Sequence, residues 1–183
     1  MTGIASRAQL RMSLLRYALV TVPLLVLLGI VSGRIAGAGE ENRWFAALAK
    51  PDFMPAGWVF GAVWTGLYIL LGVVFAMLLH ARGARRRGRA IGLFVVQLIA
   101  NYAWAPLFFG FHRIDAALEL AGAMIVLTLA LIVLLWKIRP VGALLMLPYL
   151  AWLCFAAALT ASILSLNPGA ELAPQPASAD IVL

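Results

Sequence analysis

The sequence predicts an all-helical integral membrane protein, a bundle of five transmembrane helices, on three observations. Of its 183 residues 64% are hydrophobic and 11% charged, the apolar residues gather into five long stretches, and the basic residues alternate between the gaps that separate them. A soluble domain carries nearer half apolar and a quarter charged residues, so a mean hydropathy of +1.01 excludes that class. Each crossing needs about 20 apolar residues, and the five stretches leave no room for a soluble domain beside them.

The stretches are 12–33, 58–80, 90–111, 116–136 and 141–166. At about 1.5 Å per residue each covers the hydrocarbon core, where only a helix satisfies its own backbone over that length. A single domain over 1–166 follows, with 167–183, rich in Pro and Ala, expected to be a disordered tail. The first stretch also has the pattern of a signal peptide: Arg7, Arg11 and Arg16, an apolar run over 17–31, then Ala36-Gly37-Ala38. Composition leaves a retained span and a cleaved signal both open.

In the second stretch Gly61, Trp64, Tyr68 and Leu71 recur at helical spacing and share one face. In the third, Gln97, Asn101, Trp104 and Phe108 form a stripe carrying two amides and an indole N–H. Polar groups at that depth turn into the bundle, toward another helix or a ligand, and the spacing leaves both open. The fourth stretch is unbroken over 124–135, against the short alternating segments of a barrel. Its Glu119 is expected to pair with Arg113 or to face the helix dipole. In the fifth, Tyr149, Trp152, Ala156 and Leu159 share a face behind Pro148, which frees a carbonyl and predicts a kink.

Charge gives orientation. Arg7, Arg11, Arg16, then Arg82, Arg85, Arg86, Arg87 and Arg89, then Lys137 and Arg139 fall on one side with no acid among them. Arg34, Arg43, Lys50 and Arg113 fall on the other, with Glu40, Glu41, Asp52, Asp115, Glu171 and Asp180. Five spans with the N-terminus on the basic, cytoplasmic side satisfy this asymmetry. The basic run is then a topology signal beside anionic lipid, and no nucleic-acid partner is expected. Chemistry-bearing motifs are missing: no phosphate loop, no nucleophile elbow, no metal-ligand cluster. Cys154 stands alone and is expected to pack as a small hydrophobe. His80 and His112 fall at opposite ends, so no metal site is expected. Trp44, Trp58 and Trp136 lie near span ends, where tryptophan anchors to the interface.

The run Trp44-Phe45, Leu48, Lys50-Pro51, Pro55, Trp58-Val59-Phe60-Gly61, Trp64-Thr65, Leu67-Tyr68 closely resembles the first loop and second helix of the translocator protein family, also called the tryptophan-rich sensory protein or peripheral-type benzodiazepine receptor family. Gln97-Leu98, Asn101, Trp104, Pro106, Phe108-Phe109-Gly110 and Pro148 through Leu153 with Phe155-Ala156 agree as well, in order and spacing. The resemblance implies a five-helix bundle, usually a homodimer, with a pocket toward the first loop for porphyrins such as protoporphyrin IX or haem and, in some members, sterols and isoquinolines. It assigns ligand binding to Phe60, Gly61, Trp64, Asn101, Trp104, Trp152, Ala156 and Leu159, to which the facing Tyr68 and Tyr149 are added. Trp44 with Lys50, Pro51 and Pro55 form the lid. It also argues against cleavage of the first span, because the pocket needs five helices.

The chain departs from the family's pattern at Ala56, where a second lid proline is usual, at Ala116, where some relatives carry an aromatic, and at Leu159-Thr160. Tyr149 has no Lys or Arg close after it, which removes one sterol motif. The expected function is therefore a tetrapyrrole-binding sensor or carrier linked to porphyrin homeostasis or stress, without a required cofactor, Arg34, Arg43 or Lys50 pairing with the propionates. The alternative is a light-dependent porphyrin-degrading enzyme using Trp64 and Trp152. A third expectation is a purely structural protein, dimerising through small pairs such as Ala117 with Ala121.

Overall fold

The computed structural model describes residues 7–170. Helix α1 covers Arg7–Ile35, the short α2 Arg43–Ala47, α3 Gly57–His80 and α4 Arg87–Ala105, which continues as a π-helical turn over Pro106–Gly110. Then follow α5 Ile114–Trp136, α6 Pro140–Leu145 and α7 Leu147–Leu166. No strand occurs among the described residues. Five segments are long and apolar enough to cross a membrane: α1, α3, α4 with its π turn, α5, and α6 with α7. The expected class is therefore met: a multi-pass, all-helical membrane bundle.

The spans close into a ring. Helix α1 lies along α3 and touches α4, α4 packs on α5, α5 packs on α7 and α6, and α6 returns to α3. This last joint opens the fold: α3 packs on α6 and has no comparable packing with α7. The helical run breaks at Met146 between α6 and α7, two residues before Pro148, which has no N–H to continue the ladder and crowds the preceding turn. The break falls two residues before the proline, and beyond it α7 runs without comparable packing on α3 over the half of the bundle nearer the first loop.

The other half is solid. Leu71, Val74, Leu78, Phe94, Leu131, Leu135 and Met146 are all buried there in one cluster. With lipid outside there is little hydrophobic gain in helix association, so close packing carries it. A Cβ on Gly72 would sit 2.6 Å from Val22 Cα, and one on Gly29 would overlap the Tyr68 ring. These two glycines let α1 and α3 approach backbone to side chain, and Thr21 Oγ1 donates to the Gly72 carbonyl at 2.7 Å.

Four sequence expectations change here. Ala117 and Ala121 are buried inside the bundle, because α5 turns that face to α4 and α7, so they are unavailable for dimer contacts. Cys154 is exposed on the outer face of α7 instead of packed. Arg113 closes on Asp115 through two hydrogen bonds of 3.1 and 3.0 Å, a nearer partner than Glu119. Asn167 is folded, since it donates to the Ala49 and Ile163 carbonyls and accepts from Ala49 N–H at 2.8 Å; the predicted tail therefore begins too early. The rest of that tail, 171–183, with Glu171 and Asp180, lies outside the described residues, as do the side chains of Arg7 and Arg11.

Gly72→Ala is expected to destabilise the detergent-solubilised protein by about 1–3 kcal/mol, the usual range for overpacking. Gly92→Ala, where a Cβ meets open space, leaves the unfolding midpoint unchanged or slightly raised; denaturant-driven loss of helical circular dichroism measures both.

Candidate functional site

The parting of α3 from α7 leaves a cavity of about 380 Å³ at the first-loop end, within the size range of small-molecule sites. Phe60, Gly61, Trp64 and Tyr68 line it from α3, Asn101, Trp104 and Phe108 from α4 and its π turn, and Trp152, Ala156 and Leu159 from α7. Among the described residues no charged side chain lies on its wall. Trp64 meets Trp152 edge to face at 6.5 Å and stacks on Tyr68 at 5.5 Å. Phe60 meets Trp152 at 5.8 Å, and Trp104 stacks on Phe108 at 5.1 Å.

The floor is a polar knot. Tyr68 donates to Asn101 Oδ1 at 2.8 Å, and the Tyr149 hydroxyl receives Asn101 Nδ2 at 2.9 Å and Gln97 Nε2 at 2.7 Å. Trp104 Nε1 donates to the Ala117 carbonyl at 3.0 Å. The third-span stripe thus finds its partners on neighbouring helices, the first of the two outcomes its spacing allowed, while Asn101 also borders the cavity. Buried atoms left without a partner among the described residues include the indole N–H of Trp152, on the cavity wall.

The π turn is set by Pro106, which cannot bond the Tyr102 carbonyl. Ser32 of α1 takes that carbonyl at 2.7 Å, and Phe111 N–H reaches back five residues to Pro106 O at 2.9 Å. The extra residue per turn swings Phe108 and Phe109 toward the first loop, where Phe45 meets both rings at 6.0 and 5.1 Å. His112 follows in a left-handed backbone (φ 57°) and stacks on Trp44 at 4.3 Å.

The loop above is held by side chains. Asn42 caps α2 by accepting from Phe45 N–H, and its amide nitrogen donates to Gly37 and Phe109 carbonyls. Glu40 accepts from Gly57 N–H at the start of α3, and Asn167 clasps Ala49 from α7. These bonds hold the stretch from Gly37 to the start of α3, Ala56 included.

The predicted residues divide accordingly. Nine of them, Phe60, Gly61, Trp64, Tyr68, Asn101, Trp104, Trp152, Ala156 and Leu159, share the cavity. Tyr149 is fully buried beneath it as the centre of the knot. Trp44 stands outside, in an adjoining groove with His112. Of the lid, Met54 reaches the wall, whereas Lys50, Pro51 and Pro55 do not. Lys50 instead donates to the Ala46 and Leu48 carbonyls and lies over the Phe45 ring at 4.8 Å. Trp58 and Trp136 are exposed at span ends, as interfacial anchors are.

A wall the sequence reading missed comes from α1 and the loop after it: Val26, Gly29, Ile30, Ser32, Gly33, Ala38 and Gly39. The first span carries no aromatic or amide stripe there, and Gly29, forced by its contact with Tyr68, is the one trace of that face.

The TspO/MBR family pattern matches residues 20–166. This chain belongs to the TspO/MBR family. Protein CrtK of Rhodobacter capsulatus is 36% identical over 146 residues, covering 75% of this chain and 87% of that protein. Tryptophan-rich protein TspO of Archaeoglobus fulgidus is 35% identical over 140 residues, covering 74% and 88%. The human translocator protein is 35% identical over 137 residues, covering 72% and 79%. The TspO/MBR match therefore takes in most of the first span, the other four spans and the whole cavity lining.

Tyr149→Phe removes the shared acceptor of two buried amides. In this TspO/MBR chain the loss is expected to be about 1–2 kcal/mol of stability, read as a lower thermal midpoint in detergent, while the exposed Trp136→Phe leaves that midpoint in place.

Proposed function

We propose that this protein is a membrane-embedded sensor or carrier of tetrapyrroles, with protoporphyrin IX or haem as the ligand. The observation that carries this reading is the uncharged chamber whose walls are the rings of Phe60, Trp64, Trp104 and Trp152. A flat apolar macrocycle offers faces to such walls. Each good ring contact contributes about 0.5–1.5 kcal/mol beyond area burial, and three or four support micromolar binding. No catalytic dyad or resident cofactor is needed for this role.

The excess of Lys and Arg beside α1, between α3 and α4, and between α5 and α6 supports a cytoplasmic N-terminus, with the chamber toward the opposite face. A homodimer would be built on lipid-facing surfaces, since Ala117 and Ala121 are buried. Sterols and isoquinolines are secondary ligands in this reading, and the link to porphyrin homeostasis or stress follows from the ligand.

A second reading rests on the edge contact of Trp64 with Trp152: light-dependent oxidation of the bound porphyrin, with dissolved dioxygen as the oxidant that takes up the electrons and these tryptophans as redox relays. Illuminating the purified protein with protoporphyrin IX and following new absorbance separates the two, because only the enzyme yields a product whose formation stops in Trp64→Phe.

Trp152→Ala is expected to weaken protoporphyrin IX binding at least tenfold, about 1.4 kcal/mol, in a tryptophan-fluorescence titration. An unchanged affinity in that variant would remove the chamber from the ligand's path.

A further inference from the structure

The chamber adjoins a second space. A groove of about 560 Å³ is lined by Arg34, Glu41, Asn42, Arg43, Trp44 and His112, and it shares Gly33 and Ala38 with the chamber wall. Among the described residues the chamber wall has no charge, and the groove has two guanidiniums against one carboxylate.

The cations near this end differ in what they already hold. Arg113 is closed on Asp115, and Lys50 is spent on the Ala46 and Leu48 carbonyls. Arg34 and Arg43 have no ion pair among the described residues. Asn42 is committed to Phe45, Gly37 and Phe109, so it shapes the groove without offering a free amide. Trp44 joins the two spaces. Its ring meets Phe108 of the chamber wall edge to face at 5.6 Å and stacks on His112 within the groove.

We propose that this groove is the anion-receiving half of a bipartite site, taking the carboxylate arms of a ligand whose apolar ring lies in the chamber. This rests on the ligand reading above and adds where the ligand's carboxylate arms lie: outside the chamber, against Arg34 and Arg43. Moving an ionised carboxylate into the chamber would leave it without a counter-ion, at heavy cost. The groove offers guanidiniums, which bind carboxylates through paired N–H donors. Glu41 on the same lining opposes the anion and sets an internal control of opposite sign.

Protoporphyrin IX and its dimethyl ester share the macrocycle and differ in the carboxylates, so titrating both into the detergent-purified full chain isolates the groove. The free acid is expected to bind about tenfold tighter than the ester, the size of two solvent-screened ion pairs. The double variant Arg34→Gln with Arg43→Gln lowers free-acid affinity to that of the ester and leaves ester binding unchanged. Glu41→Gln moves free-acid binding the other way, and Arg85→Gln, at the far end of the bundle, changes neither. Equal affinity for both ligands in the unmodified protein, or a double variant that binds the free acid as the unmodified protein does, overturns the groove while the chamber stands. Absence of saturable binding for both ligands overturns the chamber reading and this one together. Unchanged helical circular dichroism in the variants excludes misfolding as the cause.

Discussion

The Tyr149 hydroxyl is the point on which the rest of the bundle depends. It lies where no water reaches, receives amides from two positions of α4, and through Asn101 connects to Tyr68 on α3. In hydrocarbon an unsatisfied amide has no alternative partner, so these bonds fix the rotation of three helices about their axes at one level. On the basic side of the knot lies a cluster of buried apolar side chains; on the other side the chamber lies between the helices, beside a second buried cluster around Phe45 and Phe108. Because Tyr68 and Asn101 belong both to the knot and to the cavity wall, the floor and the walls are set together.

Two prolines convert that fixed level into a chamber. Pro148 interrupts the fifth span at its entry to the upper half, so α7 departs from α3 after α6 has made the joint. Pro106 switches α4 to a wider turn and releases a carbonyl that Ser32 of α1 takes up. Each breaks a ladder that lipid would otherwise enforce, and each does so where another group, or the protein's own cavity, accommodates the change. Close packing of α1 on α3 through Gly29 and Gly72 closes the opposite side, which confines the space to the centre of the ring.

Above the chamber the means are different. The first loop is outside the apolar spans, and polar side chains fasten it: Glu40 to the start of α3, Asn42 to α2 and the π turn, Asn167 to Ala49. Lys50 and Arg113 are drawn into local bonds there, and Arg34 and Arg43 are left facing the groove. Cations at this end of the bundle thus divide into those held by local bonds, Lys50 and Arg113, and those without an ion pair among the described residues, Arg34 and Arg43.

The sequence by itself determined the five spans, their helical state and which faces of the second, third and fifth turn inward, because bilayer thickness and helical period act on every residue locally. It marked nine residues that share the cavity, since tryptophans and amides at helical spacing are costly to expose to lipid. Only the tertiary structure decided that Tyr149 is floor and not wall, that Trp44 leaves the chamber for His112, and that Lys50 serves the loop. The first two depend on partners distant in the chain, Gln97 and His112, and the third on how the loop folds Lys50 back onto its own Ala46 and Leu48 carbonyls and the Phe45 ring. The wall from α1 was decided there too: an apolar helix looks the same from every side until a neighbour such as Tyr68 demands a glycine opposite it.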